Sequence, residues 1–140
     1  MEGGAVVSIH VPASPGLTPL AEPPERDESV ADEIDEYFAG QRRRFTARSG
    51  LSGVGEFRER VLRTLARDVP WGETVTYGEL ADMAGAPRAA RAVGTAMARN
   101  PVPILIPCHR VVAARGIGGY GLAGVPMKRA LLALEGVHVR

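Results

Sequence analysis

Two short helix signals separated by a glycine constrain the fold of this chain most strongly. Thr76 and Glu79 stand at the spacing of a capping box, in which the threonine begins a helix and the glutamate bonds back to the threonine amide. The first helix is expected over residues 77–84 and ends at Gly85. The second begins with a proline, a residue suited to a first helical turn, and spans residues 87–100. Two short helices so joined predict a helix-turn-helix.

The second helix of this pair has two different faces. Ala90, Val93 and Met97 are expected to face the core. Gly94 lies inside the helix and costs about 1 kcal/mol relative to alanine, which indicates close approach of another surface, either nucleic acid or the protein's own core. Three arginines on the outer side favour nucleic-acid contact. The outer residues are Arg88, Arg91, Thr95 and Arg99.

Three further helices are predicted from apolar side chains at helical spacing. Their apolar residues are Ile34, Tyr37 and Phe38 within residues 30–40; Phe57, Val61, Leu62 and Leu65 before Pro70; and Met127, Ala130, Leu131 and Leu134 between Pro126 and Gly136. Residues 5–11 are compatible with a single strand, which needs a partner to be stable.

Charge and composition restrict the class of protein. The 140 residues, 45% hydrophobic and 24% charged, suit a soluble globular domain. No apolar run approaches the roughly 18 residues of a membrane helix, and the first residues lack the basic region and apolar core of a signal peptide, so we expect a cytoplasmic protein. Residues 1–36 carry nine acidic groups and one basic group, whereas residues 37–140 carry seven and 16. This asymmetry favours a polyanionic partner for the second part.

The chain has a single cysteine, Cys108, which is followed by His109 and Arg110. Cysteine attacks as a thiolate, and neighbouring basic groups are expected to lower its pKa from about 8.5. A lone cysteine is also commonly a small buried hydrophobic residue, so this tripeptide alone leaves both interpretations open. The three histidines are too scattered to predict a metal site.

Four segments carry a recognisable pattern: TYGELA at 76–81, ARAVG at 90–94, NPVPILIPCHRV at 100–111 and LALEG at 132–136. With them, the chain resembles the C-terminal domain of the O6-alkylguanine-DNA alkyltransferases, also called methylated-DNA–protein-cysteine methyltransferases. The resemblance covers about Phe57 to Val137. Residues 36–45 also look like the stretch that joins the two domains of that family.

The resemblance implies a mainly α fold, with a winged helix-turn-helix-like DNA-binding and alkyl-acceptor domain at residues 55–140. Residues 30–54 resemble the end of the family's N-terminal domain, as a helix and linker. Residues 1–29 are acidic and proline-rich and are expected to be a disordered tail. A short remnant would then stand in place of the usual α/β N-terminal domain.

The resemblance also implies a chemistry, in which a cysteine takes an alkyl group from O6 of guanine in DNA, irreversibly and once per protein. Cys108 is then the nucleophile, and His109 deprotonates it through a water molecule. Glu135 orients His109, and Tyr77 supplies a proton to the departing base. Asn100 ties the recognition helix to the turn that carries the cysteine, and Arg110 is expected to anchor that turn. No cofactor and no metal are implied.

The expected partner is double-stranded DNA containing O6-alkylguanine, bound by a monomer in the bacterial cytoplasm and at the nucleoid when on DNA. Because a stacked base cannot reach a buried thiol, the nucleotide must be flipped out, and Arg91 fills the gap. The DNA-contacting residues are expected to be Arg91 and Tyr77, together with Arg88, Thr95 and Arg99 from the outer face of the helix. By resemblance, the lesion pocket contains Gly119, Tyr120 and Val111.

Three other functions compete with this interpretation. Alkyltransferase-like proteins bind lesions without catalysis, but they typically replace the cysteine that is intact here. A helix-turn-helix regulator would read the major groove with Asn or Gln side chains, where this helix has alanine and glycine. A Cys-His hydrolase is disfavoured because adjacent Cys108 and His109 point poorly for direct proton transfer.

Overall fold

Helices dominate the structure, a computed structural model that describes residues 5–6, 28–46, 48–51, 53–120 and 124–139. The α-helices are α1 (Glu28–Phe38), α2 (Glu56–Asp68), α3 (Tyr77–Met83), α4 (Ala90–Ala98) and α5 (Gly124–Leu134), with a turn of 3₁₀-helix at Cys108–Arg110. The strands are β1 (Ala5–Val6), β2 (Arg48–Ser49), β3 (Val75–Thr76) and β4 (Val111–Val112). The predicted mainly α fold is confirmed.

The four strands form two parallel pairs of two residues each. β1 pairs with β2, which gives the predicted N-terminal strand its partner; residues 7–11 of that strand lie outside the described residues. β3 pairs with β4, so that Val75 is opposite Val111 and Thr76 is opposite Val112. The second pair therefore joins the start of α3 to the segment that follows the cysteine turn. The boundaries proposed for the three sequence regions stay predictions.

The main hydrophobic core lies where α2, α3 and α4 pack together. Its side chains are almost completely removed from water, which is the dominant favourable contribution to folding. Cys108 belongs to this same core, with only 5% of its surface exposed. The most buried contributions from the helices are Val61, Leu62 and Leu65 of α2, Leu80 and Ala81 of α3, and Val93 and Ala96 of α4.

The capping box at the start of α3 is present as predicted. The Thr76 hydroxyl accepts from the Glu79 amide at 3.1 Å, and the Glu79 carboxylate accepts from the Thr76 amide at 2.8 Å. These bonds satisfy two of the backbone donors that a helix start leaves unpaired. After α3 the chain turns at Gly85, whose φ of +79° favours glycine. The predicted helix-turn-helix is confirmed as α3, the turn and α4.

The start of α4 differs from the prediction. Residues 86–89 form a β-turn, closed by a bond of 3.0 Å from the Ala89 amide to the Ala86 carbonyl. Pro87 takes the second position of that turn, which its fixed φ suits, instead of opening the helix. Arg88 therefore precedes α4, and Arg99 caps its end, so only the middle of the predicted polar stripe is helical.

Three residues assigned to apolar helix faces are exposed instead: Phe38, Ala90 and Ala130. In α4 the buried set is Val93, Ala96 and Met97, because the helix begins later than predicted. In α5 the buried face contains Lys128, Leu131 and Leu132, which a purely apolar pattern could not select. In α1 Tyr37 points inward, and the next residue is rotated by about 100° toward solvent.

Among the residues that the structure describes, no helix is long and apolar enough to cross a membrane.

Removing the cap of α3 should destabilise the protein measurably. We expect Thr76→Ala to lower the free energy of unfolding by about 1 kcal/mol, because the Glu79 amide loses its acceptor. Urea denaturation followed by circular dichroism measures this change. Thr74→Ala, at an exposed position outside α3, is the matched control and should leave the free energy of unfolding nearly unchanged. Equal effects of the two substitutions would contradict the cap assignment.

Candidate active site

A pocket of about 120 Å³ opens onto the sulfur-bearing turn. Cys108 lies at this pocket, and small residues of α4 form one side of it. The wall residues are Tyr77, Gly94, Met97, Ala98, Gly119 and Tyr120. Gly94 and Ala98 leave the space that a larger side chain would fill, and a Cβ at Gly94 would lie 4.0 Å from the Tyr77 ring. The small residues of this helix therefore shape the pocket.

Asn100 holds the loop that delivers the cysteine. Its side-chain amide donates to the Ile106 carbonyl at 2.9 Å, and its oxygen accepts from the Val102 amide at 3.0 Å. Between these contacts Ile104 has φ = +77°, a left-handed conformation that is strained for a β-branched residue by about 1–3 kcal/mol. Ile104 is buried in one cluster with Tyr37 and Leu131, which offsets that strain. The loop is thus fixed at both ends before it reaches Cys108.

A buried charged cluster lies behind the nucleophile. His109 Nε2 is 2.7 Å from Glu135 Oε2, and both side chains are completely buried. Arg110 donates two hydrogen bonds to the same carboxylate, from Nε to Oε1 at 2.8 Å and from a terminal guanidinium nitrogen to Oε2 at 3.0 Å. A further Arg110 nitrogen donates to the Val69 carbonyl at 2.8 Å. Arg110 therefore anchors the turn from below and lines no part of the pocket.

The protonation states in this cluster follow from burial and pairing. Burial would raise the pKa of Glu135, but hydrogen bonds from His109 and Arg110 outweigh it and lower the pKa to about 2. The carboxylate is therefore ionised at neutral pH. Burial lowers the pKa of His109 against the opposing effect of Glu135, so the imidazole is neutral. Its proton is then assigned to Nε2, facing the carboxylate, which leaves Nδ1 as a proton acceptor.

The resting state of Cys108 differs from the expectation. Burial raises the pKa of the Cys108 thiol and exceeds the lowering effects of the nearby Asn100 amide and Lys128 ammonium. The sequence pattern of neighbouring basic residues had predicted a lowered pKa, because it does not reveal how deeply the sulfur is buried. A thiol of this kind needs a base to remove its proton during the reaction. Nδ1 of His109 is buried and has no hydrogen-bond partner among the residues that the structure describes.

Lys128 is a functional candidate that sequence reasoning missed. Its ammonium is buried and donates to the Val111 carbonyl at 2.6 Å and to the Gly119 carbonyl at 3.0 Å. Burial lowers its pKa to about 8, and the thiolate form of the nearby Cys108 opposes that effect. It also lies 5.8 Å from the centre of the Tyr77 ring. One cation therefore ties the pocket loop to the strand that follows the nucleophile.

Tyr77 stands at the start of α3, where the capping box and the β3–β4 pair fix its backbone. A Cβ at Gly118 would lie 3.0 Å from the Tyr77 hydroxyl and 3.2 Å from the Ala113 amide, so only glycine allows this loop to approach so closely. Burial raises the pKa of Tyr77, which keeps its hydroxyl protonated and available as a donor.

The remaining predicted pocket residues divide into two groups. Gly119 and Tyr120 line the pocket beside Cys108, and their contact with a lesion stays a prediction. Burial and the nearby Cys108 raise the pKa of Tyr120, so it also remains a phenol. The side chain of Val111 is completely buried in the main core, because its strand pairs with β3. The assignment of Val111 to the lesion pocket stays a prediction.

The predicted DNA-contacting residues of the second helix are all exposed. Arg91 and Thr95 lie on α4 itself, one turn from Gly94 and Ala98 of the pocket, and the Thr95 hydroxyl donates to the Arg91 carbonyl at 3.3 Å. Arg88 and Arg99 flank the helix at its two ends. Across the described ranges, no group of three or more metal-ligating side chains occurs. The roles of these residues stay predictions.

Tyr37 and Gly72 also reach the buried carboxylate and were not selected from the sequence. The Tyr37 hydroxyl donates to Glu135 Oε2 at 2.5 Å, and the Gly72 amide lies 3.3 Å from Oε1. The apolar spacing in α1 marked Tyr37 as a core residue, but nothing in the spacing indicated which acceptor its hydroxyl would meet. The carboxylate is consequently enclosed by donors from three separate segments.

Comparison with known proteins identifies the relatives of this chain. The family model described as 6-O-methylguanine DNA methyltransferase, DNA binding domain, matches residues 56–137. A methylated-DNA–protein-cysteine methyltransferase of Mycobacterium tuberculosis H37Rv is 45% identical over 122 residues, which cover 86% of this chain and 72% of that protein. A protein of the same name from Metallosphaera sedula is 47% identical over 107 residues, covering 76% and 66% of the two chains.

Solved structures give the same answer. The M. tuberculosis OGT in complex with DNA is 48% identical with a TM-score of 0.72, over 77% of this chain and 65% of that chain. The O6-methylguanine-DNA methyltransferase of Pyrococcus kodakaraensis is 37% identical with a TM-score of 0.69, over 87% and 70%. The chain thus spans under two thirds of the length of that solved mycobacterial protein. The family predicted from the sequence is confirmed: the chain belongs to the methylated-DNA–protein-cysteine methyltransferases.

Proposed function

We propose that this chain repairs DNA by direct reversal, moving an alkyl group from O6 of guanine in duplex DNA to the sulfur of Cys108. The observation that carries the proposal is a lone buried thiol at a pocket, backed by the neutral His109 and the ionised Glu135. This is the nucleophile, base and orienting carboxylate arrangement of a catalytic triad. The mycobacterial relatives, named for the same transfer, support it.

The proposed reaction is a single displacement. The Cys108 proton passes to Nδ1 of His109 through a bridging water molecule, and Glu135 stabilises the resulting imidazolium through Nε2. The sulfur forms a bond to the alkyl carbon as the bond from that carbon to O6 breaks. The electron pair of the broken bond enters the guanine, which receives a proton from the Tyr77 hydroxyl. The product is a thioether, which none of these groups is placed to hydrolyse, so one protein molecule reacts once.

The depth of Cys108 requires the substrate base to leave the DNA stack. A pocket wall made of the small residues of α4 permits close approach of a groove only about 6 Å wide. In this proposal Arg91, one turn along the helix from Gly94, occupies the gap in the duplex. Arg88 and Arg99 at the helix ends are suited to phosphate contacts.

A non-catalytic lesion-binding protein is the second candidate. One similar solved structure is that of S. pombe Atl1 in complex with damaged DNA containing O6-carboxymethylguanine. Its sequence is 34% identical to this chain, the match covers 59% of this chain, and the TM-score is 0.53. The intact Cys108 with its base and carboxylate favours transfer over binding alone.

We also propose that the protein acts as a monomer, because the reaction needs one thiol and one DNA site, and light scattering tests this. We further propose that it acts in the bacterial cytoplasm, which cell fractionation tests.

The first prediction concerns stoichiometry. Incubation with duplex DNA containing O6-methylguanine should add one methyl group per protein, located on the Cys108 peptide by mass spectrometry. Cys108→Ser is the control and should gain no mass. Multiple turnovers, or no gain when folded protein is in excess, would exclude the proposed reaction and favour lesion binding alone.

The second prediction separates flipping from chemistry. Arg91→Ala should slow repair of duplex DNA at least about tenfold more than it slows reaction with free O6-benzylguanine, because unstacking costs a few kcal/mol and a free base needs none. Single-turnover rates on the two substrates measure the ratio. Arg63→Ala, which removes an exposed arginine from α2, is the matched control and should change neither rate. Equal losses on both substrates would remove the assignment of Arg91.

The third prediction concerns charge. Binding to undamaged duplex DNA should weaken linearly with log salt concentration, with a slope of about −0.9 for each phosphate contact. Replacing both Arg88 and Arg99 with Ala should make the slope shallower by about two contacts without creating sequence preference. Fluorescence anisotropy at several salt concentrations measures it. An unchanged slope would show that these arginines do not contact phosphates.

A further inference from the structure

Helix α1 places the Tyr37 phenol against the buried pair of His109 and Glu135, which lies behind Cys108. Tyr37 is 1% exposed, and its hydroxyl donates to Glu135 Oε2 at 2.5 Å. The same hydroxyl lies 3.5 Å from Nε2 of His109. Tyr37 and Glu135 are 98 positions apart in the chain, so this contact joins the N-terminal helix directly to the reactive centre.

The position of this hydroxyl is tightly determined by its surroundings. The Tyr37 ring packs edge-on against Phe38, with ring centres 5.4 Å apart, and lies 5.6 Å from the centre of the Phe45 ring. Ile104 and Leu131 complete the apolar cluster around it. Burial raises the pKa of Tyr37, so the phenol keeps its proton. A buried phenol needs an acceptor, and the carboxylate provides one.

The Tyr37 hydroxyl changes how strongly one oxygen of the Glu135 carboxylate attracts the proton of His109. Glu135 Oε2 receives bonds from Tyr37, from Arg110 and from Nε2 of His109. Each bond from another donor spreads the negative charge and weakens the attraction of Oε2 for the imidazole proton. A weaker attraction favours the neutral imidazole over the imidazolium in the resting protein. It also fixes the carboxylate plane, since the oxygen cannot rotate away without losing three bonds.

We propose that Tyr37 is a positioning residue for alkyl transfer, holding Glu135 Oε2 toward His109 and keeping His109 in its neutral, proton-accepting form. The inference rests on the proposed transfer to Cys108. It assigns to α1, which lies outside residues 56–137 of the family match, a direct part in the reactive centre.

The charges facing His109 come from several elements and set the expected direction. Glu135, at the end of α5, raises the pKa of His109, whereas burial, Arg110 of the 3₁₀ turn and Lys128 of α5 lower it. The neutral thiol of Cys108 and the phenols of Tyr37 and Tyr120 carry no charge at neutral pH. Removing the Tyr37 hydroxyl takes away one donor that competes for Oε2. The imidazolium should consequently become easier to form.

The test measures the pH dependence of benzyl transfer from O6-benzylguanine under single-turnover conditions. In Tyr37→Phe the acid limb of the profile should move up by about half a pH unit or more, giving a roughly threefold lower rate below the inflection and a smaller change on the plateau. Met83→Leu, at an exposed apolar side chain of α3 outside this cluster, is the control and should keep the wild-type profile. A uniform loss of rate with an unmoved acid limb would overturn the proposal.

A second variant and a second measurement make the result independent of folding and of the transfer itself. Replacing Tyr37 with 3-fluorotyrosine makes the phenol a stronger donor and should move the acid limb down. NMR titration of the His109 ring in Cys108→Ser protein, with no substrate present, should show a higher midpoint when Tyr37→Phe is added. An unchanged midpoint overturns the role of Tyr37. Absence of any reaction by the wild-type protein with an altered midpoint would overturn the proposed function alone.

Discussion

The carboxylate of Glu135 is the point on which the arrangement of this molecule depends. An ionised group buried to 2% exposure costs several kcal/mol in lost hydration unless donors surround it. Here the donors are His109 and Arg110 of one turn, Tyr37 and the Gly72 amide, from three segments that are far apart in sequence. Each segment must be in place for the charge to be satisfied. Folding and the assembly of the proposed reactive centre are therefore the same event.

Burial, which makes the Glu135 carboxylate need several donors, also sets the protonation state of Cys108. Cys108 lies in the hydrophobic core, where its thiol form is favoured over the thiolate. A protein that kept a free thiolate in the pocket would expose it to every small electrophile that entered. In the proposed reaction the proton is retained until His109 removes it, so reactivity depends on the substrate and base being aligned. Lys128 contributes a positive charge that reduces the cost of the thiolate once it forms.

Much of the fold was predictable because its signals are local. The capping box of Thr76 and Glu79, the glycine turn and the apolar spacing of α2 each depend on residues a few positions apart. The family signature around Cys108 likewise led to His109 and Glu135 through resemblance. The start of α4 was misplaced because a proline suits a β-turn as well as a first helical turn. Local patterns cannot decide between such equivalents.

The rest could not be predicted because it depends on contacts across the fold. Lys128 shares the buried face of α5 with Leu131, Leu132 and Glu135, at positions i, i+3, i+4 and i+7. A hydropathy pattern excludes a lysine from such a face. Here two backbone carbonyls from other parts of the chain, those of Val111 and Gly119, accept hydrogen bonds from Lys128 and allow it to be buried. Tyr37 was recognised as apolar core and not as a donor for the same reason.

The β3–β4 pair has a consequence for how such a protein can change over evolutionary time. Its register sets Tyr77, which follows Thr76, relative to Cys108, which precedes Val111 by three residues. Two residues on each strand are too few to hold this register alone, so the core of α2, α3 and α4 must hold it. Selection on the speed of repair therefore acts on buried aliphatic residues that never touch a base. We therefore expect differences in transfer rate between relatives to follow core packing as well as pocket chemistry.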